Sequence, residues 1–76
     1  MQVDRISVDS GIMGGVPCIR GTRIPVVTLI GMLAAGLDTP AILAEYPELT
    51  ETDVRAALEF AALVIEDLPP SVPGSP

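Results

Sequence analysis

The sequence predicts a mainly α fold, three helices in a helix-turn-helix arrangement, led in by short β-strands or a hairpin. Three observations carry that expectation. Residues 24–37 run without a single charge and reach a glycine, Gly36, next to their end. Residues 54–68 place Val54, Ala57, Leu58, Ala61, Val64, Ile65 and Leu68 at spacings of three and four, the repeat of one helix face. Between them, Thr39-Pro40, Pro47 and Thr50 cut out a short third helix with recognisable start and stop signals. The domain is expected over residues 1–67, with a proline-rich, disordered tail over 68–76.

Taken in order, Ile6-Ser7-Val8 alternates apolar and polar and reads as a short strand, followed by a turn at Asp9-Ser10-Gly11. The first helix is expected from Val26 or Val27 to Ala35, introduced by Pro25 and closed by Gly36 in the left-handed conformation. It has no polar face, so it is expected to be buried on every side, with Gly31 allowing another helix to come close. The second helix is expected to use Thr39 as N-cap and Pro40 as its first residue, to turn Ile42, Leu43 and Tyr46 inward, and to stop before Pro47. The third is expected to start at the cap Thr50, with Asp53 closing a capping box and Leu49 stapling onto Val54.

Composition narrows the function. Seventy-six residues make one domain whose core must be aliphatic, since Phe60 and Tyr46 are its only aromatic side chains. A chain this short is marginal alone, and a homodimer is the cheapest further source of buried area. The apolar second half of helix three places Leu63 or Val64 at that interface. Cys18 stands alone and there is no histidine, so neither a disulfide nor a zinc site is expected, and Cys18 lacks an imidazole to activate it. The glycines do not form a phosphate-cradling loop, and Glu45, Glu48, Glu51 and Asp53 read as caps and solvated face. No enzyme and no cofactor are expected. No stretch is long enough to span a membrane and no secretory signal opens the chain, so a cytoplasmic protein is expected.

Charge is uneven. Residues 1–36 carry three arginines against two aspartates, whereas residues 37–76 carry Arg55 alone against eight carboxylates, within a net charge of −6. The outer face of helix three would offer Glu51, Thr52, Arg55, Ala56 and Glu59, a poor surface for phosphates. Arg20 and Arg23 bracket Gly21-Thr22, and glycine at the first central position suits a type II′ hairpin. The two guanidiniums would then face each other and call for an anion between them: phosphate, a carboxylate of another protein, or an acidic group of this one.

The run Gly-Gly-Val-Pro-Cys-Ile-Arg-Gly-Thr-Arg-Ile-Pro-Val at 14–26, an apolar helix ending in Ala-Gly, and Tyr-Pro-Glu-Leu-Thr at 46–50 together resemble domain-of-unknown-function family 433. The resemblance covers about Ile6 to about Leu63. It implies a small helix-turn-helix antitoxin of a type II toxin–antitoxin pair, encoded beside a PIN-like ribonuclease toxin, binding that toxin and, as a dimer, operator DNA. On that reading Arg20, Arg23, Thr52 and Arg55 would meet DNA, weakly when the protein is alone. Phe60, Leu63, Val64 and Leu68 would meet the partner. Whether Arg20 and Arg23 serve DNA or toxin stays open at this level. A transcriptional regulator without a toxin, and an interaction domain that touches no nucleic acid, are the alternatives.

Overall fold

The computed structural model describes residues 3–11 and 13–68. The expected tail, apart from Leu68, lies outside them. A single 3-10 turn, Val3–Arg5, leads into strand β1 (Ile6–Ser7), which pairs antiparallel with β2 (Cys18–Ile19) so that Ile6 lies opposite Ile19 and Ser7 opposite Cys18. The strand stops short of the exposed Val8. The turn expected at Asp9-Ser10-Gly11 is present, with the Asp9 carboxylate accepting the Gly11 N–H at 2.8 Å. A second 3-10 turn, Met13–Gly15, brings the chain back to β2.

The arginine-flanked turn differs from the expected one. The Thr22 N–H donates to the Ile19 carbonyl at 3.0 Å, and Gly21 has φ +81°. The turn therefore spans 19–22 with glycine at its second central position, as a type II turn requires, one residue earlier than a type II′ turn would sit. Thr22 stitches it, donating from Oγ1 to the Ile19 carbonyl and accepting the Ile24 N–H. Cys18 then bridges Pro25, and the Ile19 N–H donates to the Ile24 carbonyl.

Arg20 does not form a fork with Arg23. Its backbone N–H donates to the Arg5 carbonyl at 2.6 Å, its Nε to the Asp4 carbonyl at 2.7 Å and its Nη2 to the Ile6 carbonyl at 3.1 Å. The anion its charge calls for is supplied by carbonyl dipoles of this chain's own first turn and strand. Arg20→Ala is therefore expected to cost about 1–2 kcal/mol, since it removes two hydrogen bonds from a charged donor at a partly wet site. The thermal midpoint should fall by roughly 5–10 °C. Arg20→Lys should not restore it, because one ammonium cannot replace the fork. Arg23→Ala, in contrast, should stay within about 0.5 kcal/mol.

Helix α1 (Val26–Ala34) follows Pro25 and ends in a Schellman arrangement, with the Gly36 N–H on the Leu33 carbonyl and the Leu37 N–H on the Met32 carbonyl. Gly36 has φ +101°, which fits the expected stop. The expectation of burial on every side is overturned. Only Val26 and Leu29 are buried; Val27 is 69% exposed, and Gly31, Ala34 and Ala35 are exposed with it. A Cβ at Gly31 would meet nothing within 4 Å, so no helix of this chain comes close there. One small domain cannot cover all sides of a nine-residue helix, and α1 lies at its edge.

Helix α2 (Thr39–Glu45) is capped by Asp38 rather than Thr39, its carboxylate accepting the Ala41 N–H at 3.0 Å. An anionic acceptor at a helix start outcompetes a hydroxyl, and Pro40 falls one position later. Ile42 is buried, Leu43 and Tyr46 pack at the core edge, and the helix stops before Pro47.

Helix α3 (Glu51–Glu66) has the full capping box. The Thr50 side chain accepts the Asp53 N–H, and the Asp53 Oδ2 accepts the Thr50 N–H at 2.9 Å. Leu49 and Val54 are both buried in the same cluster, in keeping with the staple. The buried face is displaced from the expected stripe. Asp53, Val54, Ala56 and Ala57 are buried, while Leu58, Val64, Ile65 and Leu68 are exposed. Ala56, placed outward from its spacing, is fully buried. The reason is that α3 is packed on two sides, by α1 and by the N-terminal turn with β1. Asp53 meets the second of these, where Arg5 Nη1 reaches its Oδ1 at 3.0 Å.

Candidate functional site

Two of the hollows among the described residues bear on function. The larger, about 310 Å³, is lined by Thr39 from the start of α2 and by Glu51, Val54, Arg55 and Leu58 from α3. Arg55 stands 3.9 Å from Glu51 one turn back, and both are widely exposed, so its charge is partly spent along its own helix. This is the helix-turn-helix face. Of the residues proposed for DNA, Thr52 and Arg55 lie on α3, Thr52 half-buried and Arg55 open. Arg23 is exposed and makes no hydrogen bond or ion pair among the described residues. Arg20 is tied to the N-terminal segment.

The second hollow is a groove of about 260 Å³ between α1 and the last turns of α3. Val26, Val27 and Ile30 line it from α1 and Phe60, Ala61, Val64 and Ile65 from α3, with Pro17 beside them. Among the described residues no charged or polar side chain lines it. Val27 and Ile65 are each about two-thirds exposed, at 69% and 65%. Apolar side chains held open around a concave surface cost free energy in water, and such a patch marks a place where another molecule sits.

The fold sorts the four residues expected to meet a partner. Phe60 and Val64 line the groove. Leu68 is exposed just beyond the end of the same helix. Leu63 is half-buried and does not line it. Sequence reading missed the α1 wall altogether. The signal lies in the uncharged run 24–37, which predicts burial inside the domain and instead forms one half of an open groove.

At the far end of this groove the electrostatics turn negative. Glu66 and Asp67 are exposed, and the last turn of α3 carries no basic side chain to offset the helix C-terminus. Among the described residues no group of three His, Cys, Asp or Glu side chains is placed to hold a metal ion, and no helix is long and apolar enough to cross a membrane. Of the acidic residues near the α2–α3 turn, Asp53 is occupied by the cap and by Arg5, while Glu45, Glu48 and Glu51 are exposed.

The profile of DUF433, described as a protein family of unknown function, matches residues 6–61. This chain belongs to the DUF433 family. The crystal structure of a DUF433 member from Anabaena variabilis superposes with a TM-score of 0.76 and 39% identity, covering 82% of this chain and 61% of that one. The uncharacterized protein y4eO of Sinorhizobium fredii is 38% identical over 50 residues, which are 66% of this chain and 23% of y4eO. The matched segment thus spans less than a quarter of that curated relative. The family match takes in β1, β2, all of α1 and α2, and the first wall residues of α3, but ends at Ala61, before Val64 and Ile65.

Proposed function

We propose that this DUF433 chain is the antitoxin of a type II toxin–antitoxin pair. It works by holding a PIN-like ribonuclease in the groove between α1 and α3. The observation that carries this reading is the open, wholly apolar groove on a chain that is otherwise acidic. A stand-alone regulator has no use for such a surface on the side of α3 away from Arg55. The toxin class itself comes from the family resemblance.

DNA binding is the second part of the proposal, favoured by the arrangement of α2 and α3 around the exposed Arg55. With Glu51 beside that arginine and a net charge of −6, the chain alone binds phosphates weakly and loses them as salt rises. A basic toxin in complex supplies the missing positive field.

The protein is further proposed to act as a homodimer. Leu63 and Val64 no longer share one face, since Val64 belongs to the groove. The outer face of α1 is the better surface, because Gly31, Ala34 and Ala35 are exposed there without a charged neighbour on the helix. Two acidic chains approach most cheaply where neither presents charge. Sedimentation at micromolar concentration should show a dimer that Gly31→Leu converts to monomer. The monomer should remain folded by circular dichroism, because the position is open and leucine is the better helix former, although losing the partner lowers its midpoint. A monomeric wild-type chain would remove the dimer from the proposal.

The function itself is tested by co-expression. Induction of the neighbouring ribonuclease should arrest growth, and this chain should restore it. Arrest that persists with the soluble chain present would overturn the antitoxin reading.

A further inference from the structure

The groove also indicates what kind of segment fills it. Both walls are helices whose backbone groups are bonded within their own turns, so an extended strand laid between them would find no ladder to join. A helix satisfies its own backbone and offers side chains alone. The volume of about 260 Å³ admits a few aliphatic side chains projecting from such a helix, not the helix itself.

Charge then selects among amphipathic helices. The groove is uncharged along its length and opens, past Val64 and Ile65, onto Glu66, Asp67 and the uncompensated C-terminus of α3. Arg55, the one basic residue between 37 and 68, lies ten residues before Ile65 on α3, about 15 Å away along the helix. Among the described residues of α3 none after Arg55 is basic, and three negative features at the helix end attract a cation.

We propose that the occupant is an amphipathic helix of a partner protein, with an aliphatic face flanked by lysine or arginine that comes to rest against Glu66 and Asp67. This rests on the antitoxin reading for the identity of the partner, but not for its chemistry. A second copy of this chain offers no basic flank, since the outer face of α1 is uncharged and α3 carries no basic residue after Arg55, so it would gain nothing from Glu66 and Asp67.

Two synthetic helices of roughly 15 residues test it, a length at which Ala-rich peptides hold helix in water. They share one Leu/Ala face and differ only in Lys or Glu flanks. The Lys peptide should bind the full chain about tenfold tighter than its Glu twin. That preference should shrink as salt rises from roughly 0.05 M to roughly 0.5 M, where exposed charges are screened. Val64→Glu should abolish binding of both peptides with an unchanged thermal midpoint. Glu66→Lys with Asp67→Lys should reverse the preference, which a general net-charge effect would not do. Equal binding of the twins, or a preference that survives the double reversal, overturns the proposal. So does failure of both peptides to bind while the wild-type chain forms a dimer that Val64→Glu splits, because a second copy then owns the groove. Should the peptides behave as expected and the ribonuclease go uninhibited, the groove chemistry stands and the antitoxin reading falls.

Discussion

Leu29→Ala is expected to cost about 3–5 kcal/mol and to leave the chain largely unfolded at room temperature. Leu29 is fully buried on the inner side of α1, where it joins Ile19, Ile42 and Val54 in the centre of the core. The cavity left by three missing carbons has no large aromatic neighbour to fill it, because the core is aliphatic and Phe60 and Tyr46 sit at its edge. For a domain of this size, whose total stability is of the order of 5 kcal/mol, such a loss is most of what there is. Two residues earlier on the same helix, Val27→Ala should change stability by no more than about 0.5 kcal/mol. Circular dichroism with urea unfolding measures both. The contrast between them tests whether α1 lies at the domain edge; a large cost at Val27 would mean it is covered within the protomer.

Asp53→Ala is the second large effect, expected at about 2–3 kcal/mol, or a fall of roughly 10–20 °C in thermal midpoint. One carboxylate serves three donors: Oδ2 takes the Thr50 N–H at 2.9 Å and the Thr50 hydroxyl at 3.2 Å, and Oδ1 takes Arg5 Nη1 at 3.0 Å. Losing it uncaps α3 at a typical cost of ~1 kcal/mol and frees the N-terminal turn from the helix. The pair lies at the wetter end of the range for ion pairs, since the Arg5 side chain is 44% exposed and rehydrates when its partner goes. Arg5→Ala alone should therefore cost about 1 kcal/mol or less. The double variant should cost less than the sum of the single ones, because Arg5 and Asp53 share one contact. Equal and additive losses would show that the ion pair contributes nothing beyond the cap.

Asp53 also shows how much of this protein was legible beforehand. Its place in the capping box follows from three residues of local sequence, Thr50 to Asp53, and so do the Gly36 stop and the break at Pro47. Local chemistry decides such features, and the structure has them. Arg5 gives no local sign that it will reach Asp53, because 48 positions separate them. Arg20 shows the same limit: its charge implied an anionic partner, but the partner is a set of carbonyls 14 and 16 residues away. The caps Asp38 and Thr39 are adjacent, and only the geometry of the Ala41 N–H decides between them. The groove was half visible. Phe60 and Val64 stood out as surplus apolar residues on α3, whereas an uncharged helix looks the same in sequence whether it is central or at an edge. Ala56 was misplaced because helical spacing assumes one packed face, and α3 has two.

The groove carries the account, and inhibition of the ribonuclease tests it most directly. The ribonuclease of the proposed pair would be purified and titrated with the wild-type chain, with Val64→Glu and Ile65→Glu, and with Arg23→Ala combined with Arg55→Ala. Each variant would first be shown to unfold at the wild-type midpoint. Wild-type protein should inhibit at equal stoichiometry, and the arginine variant should match it. The two groove variants should weaken inhibition about thirtyfold or more, the ~2 kcal/mol expected of a central apolar contact. Full inhibition by folded Val64→Glu and Ile65→Glu, with loss in the arginine variant, would contradict the account and place the toxin on the helix-turn-helix face instead.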